Sequence, residues 1–391
     1  MRRQGLNRIS NVKRALVLLI AVLAGTLWMG TFGGCSGKYT GSGMYSIPEI
    51  GGESVSGGSA YGLSEDAGDL TDVDTYFAAP GAGGSTFIYD SAYLGEVFGT
   101  KEVTLNDLYA AVDGNKTISP RFNELTKTFC KQYVTLAPKA DRRILYYNLK
   151  TVTFKETDGF GLAVDSFSGD ASACYSKDKN IITVLTEYSF DKGTWEYQTI
   201  IHELSHAARN AIIKKDGRTY YISSGGGNFN ELMCDETLNT IFSVSLLGYE
   251  EPDLAYQLQS NYMDIILDSM DNYDISSDYI NHSQSYFIKK LEEYSGQESV
   301  ADMIRLLQAQ YDDFHDDSFK REQQEYYPLY DFVSDVFYKN RIDRNSTHAE
   351  AEAVSEELIR RVTFDVPEEY ELDVDHFREH FRAYCEALGI S

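Results

Sequence analysis

The amino-acid sequence predicts an α+β protein: mostly helical, with a small N-terminal β-sheet beside a histidine-bearing helix, and an all-helical C-terminal half. Three observations carry this expectation. The run Asn180-Ile181-Ile182-Thr183-Val184-Leu185 is short and β-branched, and the turn-prone Ser176-Lys177-Asp178-Lys179 precedes it, which is a strand signal. From Thr194 onward, Ile200, Leu204, Ala207 or Ala208, and Ala211 recur at helical spacing and form one apolar stripe. Beyond residue 237 helical spacing dominates, over 237–248, 251–270, 283–294, 298–311, 328–341, 347–362 and 374–388; Leu254, Leu258, Tyr262, Ile265 and Ile266 show the core pattern in one of these segments.

The chain opens with Arg2, Arg3, Arg8, Lys13 and Arg14 and no acid, then the apolar run Ala15 to Met29, then Phe32-Gly33-Gly34-Cys35. This order reads residues 1–34 as a signal peptide. The apolar run is short against the roughly 20 residues that a bilayer-spanning helix needs. The small residues before the cysteine resemble a bacterial lipoprotein lipobox, which implies that Cys35 becomes a lipidated N-terminus anchoring the folded part to a cell membrane on its extracytoplasmic side. Residues 35–85 are rich in Gly and Ser with few bulky apolar groups, a composition that predicts a disordered tether. About 300 residues remain, enough for one large domain or two closely packed ones.

In that remainder, Leu105, Leu108, Tyr109 and Val112 mark a first helix, and Phe122, Leu125, Phe129, Tyr133 and Leu136 a second. Pro120 suits the first position of the second helix, with Ser119 as its cap. Thr151-Val152-Thr153-Phe154 reads as a strand, so a sheet of two to four strands is expected between these helices and the stripe at 194–211.

Within that stripe stands His202-Glu203-Leu204-Ser205-His206, an H-E-x-x-H pattern. On a helix the two histidines are neighbours one turn apart and can share one Zn(II) at roughly 2.0–2.1 Å. Glu203 sits about 100° further round the helix, placed to take a proton from water as a general base. A catalytic zinc site normally has three protein ligands and an open position, so a third donor is required. The metzincin continuation needs a glycine at 209 and a histidine at 212, where this chain has Arg209 and Ile212.

Downstream, Gly225-Gly226-Gly227 leads into Asn228-Phe229-Asn230-Glu231-Leu232-Met233-Cys234-Asp235-Glu236. Asn230 to Asp235 resembles the N-E-x-x-x-D pattern of the gluzincins, the thermolysin-like clan of zinc peptidases. The resemblance covers about forty residues. It implies that Glu231 is the third zinc ligand and that Asp235 accepts a hydrogen bond from the far nitrogen of a zinc histidine, fixing its tautomer. Asp235 and Glu236 stay rivals for the ligand role, and Cys234 reads as a small buried apolar side chain. It further implies a zincin-like catalytic domain over 86–295 and a helical subdomain over 296–391 packed on it. Peptidases of this kind add a donor facing the carbonyl oxygen, for which Tyr279 and His282 are the candidates.

Removal of the five leader cations leaves 30 basic against 60 acidic residues, a formal charge of −30, which does not suit nucleic acid as a partner. Four cysteines follow Cys35, at 130, 174, 234 and 385, without metal-type spacing, and one or two disulfides are open to an exported protein. The expectation is thus a membrane-anchored extracellular zinc peptidase acting on a peptide or protein substrate. The alternative of another class is a surface lipoprotein that keeps the zinc fold to bind cell-wall or host ligands.

Overall fold

A computed structural model describes residues 85–87, 91–158, 173–177, 179–186, 194–215, 218–222, 232–247, 256–296, 300–315, 322–366, 370 and 372–390. The signal-peptide and lipidation readings, the tether up to residue 84, the glycine loop and Glu231 lie outside them. All described residues belong to one compact unit, Asp69–Ser391.

In chain order the elements are β1 (Ser85–Phe87), α1 (Ser91–Phe98), α2 (Leu105–Gly114), α3 (Pro120–Leu136), α4 (Arg143–Leu149), β2 (Thr153–Thr157), β3 (Ala173–Ser176) and β4 (Ile181–Leu185). Then come α5 (Trp195–Arg209), β5 (Ala211–Lys215), β6 (Arg218–Ile222) and α6 (Leu232–Leu247). The rest is helical: α7 (Gln257–Ser269), α8 (Asp278–Asn281), α9 (Gln284–Ser295), α10 (Val300–His315), a 3-10 turn (Gln323–Tyr326), α11 (Tyr327–Tyr338), α12 (His348–Val362) and α13 (Val374–Leu388). The coarse α+β expectation holds, with strands confined to the N-terminal part of the described chain.

Local chemistry explains the boundaries. Thr104 and Asp107 form a reciprocal capping box at the start of α2, and Thr347 with Glu350 does the same for α12. Pro120 occupies the first turn of α3, where its missing N–H costs nothing. Gly389, at φ 76°, ends α13 in the left-handed conformation that glycine tolerates.

Two small sheets form. In one, β4 is central, parallel to β2 with Phe154 opposite Ile182, and antiparallel to β3 with Tyr175 opposite Ile182. In the other, β6 is central between parallel β1 and antiparallel β5. Lys215 pairs with Arg218, so a two-residue connection, Asp216-Gly217, joins β5 to β6. Asp-Gly between paired strands is a strong hairpin signal.

Helix α5 lies at the centre. It packs against α4, β3, α3 and, most extensively, α6. Ile200, Ile201, Leu204 and Ala208 are buried, each larger side chain contributing roughly 1.5–3 kcal/mol of hydrophobic stabilisation. One apolar core runs from Val103 through these residues to Ile390 and joins the two parts of the chain on either side of residue 295. In the C-terminal half α10 packs on α6, α11 on α7, and α13 on α11. Cys130, Cys174, Cys234 and Cys385 carry thiols rather than disulfides. No described helix is long and apolar enough to cross a membrane.

Candidate metal centre

Helix α5 is held at both ends. The Thr194 hydroxyl accepts from the Tyr197 N–H at the start, and at the end Asn148 donates to the carbonyls of Ala207 and Asn210, both at 2.7 Å. The Asn210 side chain also donates to the His206 carbonyl. The last turn, which carries His206, therefore has its terminal carbonyls satisfied inside the protein.

His202 and His206 point toward α6. Their Nε2 atoms lie 3.1 Å apart, and Glu236 Oε2 lies 3.1 Å from the first and 3.3 Å from the second. Three donors around one tetrahedral ion with bonds near 2.0–2.1 Å stand roughly 3.3 Å from one another, so the spacing fits a single small cation. The three side chains are largely buried, at 8, 12 and 18% relative exposure. Together they form a group that can hold a metal ion, and among the described residues it is where such donors converge.

Electrostatics favour the same reading. Burial alone would disfavour a charge on His206, but the Glu236 carboxylate overrides it and lifts the imidazole to about 9. Glu236 moves the other way: burial opposes its charge, yet the two histidines hold it well below the carboxylate range. Metal binding at such a group requires a neutral imidazole, so a divalent cation would displace the proton from His206.

Glu203 is buried beside this group without joining it. Burial chiefly pushes its carboxyl up, with the charge of Glu236 adding to this, while the two histidines and the Tyr175 backbone N–H on β3 act against it. A carboxylate raised toward neutrality suits a base that must both take and return a proton.

For the third donor the sequence left Glu231, Asp235 and Glu236 as candidates. Glu231 lies outside the described residues, and its rival Glu236 is the carboxylate that meets both histidines. Asp235 departs from the role read onto it: it accepts from buried Arg209 Nη1 at 2.6 Å. For His202 the far nitrogen, Nδ1, instead faces the Thr240 hydroxyl at 3.4 Å, one turn beyond Glu236. Cys234 is fully buried.

Tyr279 and His282 both meet Arg209, and neither belongs to the metal group. The Tyr279 ring is fully buried beneath the Arg209 guanidinium, 3.7 Å away, and its hydroxyl donates to Asn239 Oδ1 at 2.9 Å. Asn239 in turn donates to the His202 carbonyl at 2.9 Å. His282 stacks on Tyr286 and offers its backbone carbonyl to Arg209. The Tyr279 hydroxyl is therefore committed to holding α5 against α6 and α8, which corrects the donor role expected of it.

Comparison with protein-family models, with curated proteins and with solved structures finds no match for this chain. The functional reading rests on the residues themselves.

Proposed function

We propose that this protein is a zinc-dependent hydrolase of peptide bonds with a gluzincin-like arrangement, exported and anchored through a lipid on Cys35. The observation that carries the reading is the convergence of His202, His206 and Glu236 at ion-binding distances with buried Glu203 adjacent. Two imidazoles and one carboxylate are a donor set that suits Zn(II) and leave a position open for water. A zinc ion bound there would polarise water and a substrate carbonyl.

The chain's own groups supply the remaining chemistry. Glu203 takes the proton that water loses on attacking the carbonyl carbon, then returns it to the departing amine. The Tyr175 N–H fixes the Glu203 carboxylate relative to β3, an edge strand of its sheet. Arg209 neutralises Asp235, so that the carboxylate next to Glu236 in sequence does not repel it. An extended peptide added beside β3 would run past Glu203, the geometry that strand addition offers an unstructured substrate.

The test is elemental analysis of the purified chain together with hydrolysis of a mixed-sequence quenched-fluorescent peptide library. Near-stoichiometric zinc and zinc-dependent cleavage are expected. Glu203→Gln should keep the metal and lose about a thousandfold or more in rate; unchanged activity in that variant would contradict the mechanism.

A further inference from the structure

Tyr256 stands immediately before α7 in a left-handed conformation, φ 71° and ψ 33°. A bulky side chain at positive φ is costly, and such outliers collect at functional sites. Nothing about a helix start demands this conformation, since α2, α5 and α12 begin from extended residues.

The surroundings locate the ring. The Met233 N–H on α6 donates to Gln308 Oε1 on α10 at 2.7 Å. One turn further along these helices stand Glu236 on α6 and Tyr311 on α10, and the Tyr256 ring lies edge-on to Tyr311 with centroids 5.1 Å apart. Burial chiefly, and then the negative charges of Glu236 and Glu203, hold the Tyr256 phenol well above its ordinary value. It is a phenol that keeps its proton within the field of both carboxylates of the site. Among the described residues its hydroxyl has no hydrogen-bond partner, whereas that of Tyr279 is spent on Asn239.

We propose that Tyr256 is a catalytic residue whose hydroxyl donates a hydrogen bond to the substrate carbonyl oxygen as that oxygen gains negative charge. The assignment rests on the zinc-hydrolase reading above. Tyr256 stands at the start of α7, which packs on α6, and its ring meets Tyr311 of α10 edge-on. A neutral donor suits this position, because it stabilises developing charge without pairing permanently with Glu203 or Glu236.

The test uses the zinc-loaded full chain and acetohydroxamate, a small zinc-directed probe that needs no side-chain pocket, titrated by calorimetry. Tyr256→Phe keeps the ring against Tyr311 and should retain full zinc content and an unchanged melting temperature. It should bind acetohydroxamate about tenfold more weakly and lose about a hundredfold in kcat on the peptide library with little change in KM. Tyr256→His restores an N–H donor on a residue type that tolerates positive φ and should recover part of the probe affinity. Equal probe affinity in wild type and Tyr256→Phe would overturn the assignment, as would loss of zinc in that variant. Absence of zinc from the wild type overturns the metal reading itself, and this assignment with it.

Discussion

Two regions of this protein set a pair of histidines four residues apart against carboxylates on a neighbouring helix, and they do different things. Between α5 and α6, the two Nε2 atoms and one Glu236 oxygen face one another at 3.1–3.3 Å. Between α11 and α13, His376 Nε2 meets Asp331 at 2.8 Å, while His380 meets Asp331 through Nδ1 at 3.0 Å and Asp335 through Nε2 at 2.8 Å. There the carboxylates stand between the rings, and no three donors come together. Both nitrogens of His380 face a carboxylate, which calls for the imidazolium; burial opposes it, but Asp331 and Asp335 lift His380 to about 9. The aspartates are also far more exposed, at 38 and 41%. Histidine spacing alone therefore does not make a metal site. Convergence of the donor atoms on one point does.

Substitution of one histidine in each region separates them most sharply. His206→Ala should abolish stoichiometric zinc, because two remaining donors do not hold the ion. His380→Ala should leave zinc content at one per chain. Retained zinc in the first variant, by elemental analysis after dialysis, would break the distinction.

The next effect concerns the charge pair behind the metal group. Arg209→Met strands the Asp235 carboxylate in a buried position and should cost about 3–5 kcal/mol in denaturant unfolding. Arg209→Met with Asp235→Leu should regain most of that loss, since replacing both partners by apolar groups is often neutral. No recovery in the double variant would mean that the pair does more than balance charge.

Thr240→Val tests the orientation of His202 and should weaken zinc about tenfold, measured by competition with a chromophoric chelator. The smallest effect lies in the α11–α13 seam. The folded state raises His380 above its ordinary 6.5, so its stabilisation is complete below that value and is lost as pH rises through about 9. Stability should fall between pH 7 and 10 by on the order of 1 kcal/mol, reduced by solvent screening of the partly exposed aspartates. In His380→Gln that slope should flatten.

Much of this architecture was legible in the residues. Pro120 opens α3 as expected, the expected strands at Asn180–Leu185 and Thr151–Phe154 overlap β4 and β2, and the spacing of Ile200, Leu204 and Ala208 matches the buried side of α5. Three things escaped, each for a physical reason. Asp216-Gly217 was a readable hairpin signal, but β5 follows α5 directly and was absorbed into its apolar stripe. The choice among Glu231, Asp235 and Glu236 depends on how α6 is rotated against α5. Met233, Cys234, Thr237, Leu238, Asn239 and Thr240 are all buried, so the helix carries no polar-apolar contrast from which to read that rotation. Tyr256 carries no motif, since its placement comes from a backbone conformation that its residue type does not announce.

The central claim, that Glu236 completes the metal group, is tested most directly by zinc content in a pair of variants. Glu236→Ala should lose stoichiometric zinc while Glu231→Ala keeps it; full zinc in Glu236→Ala, with loss in Glu231→Ala, would contradict the account.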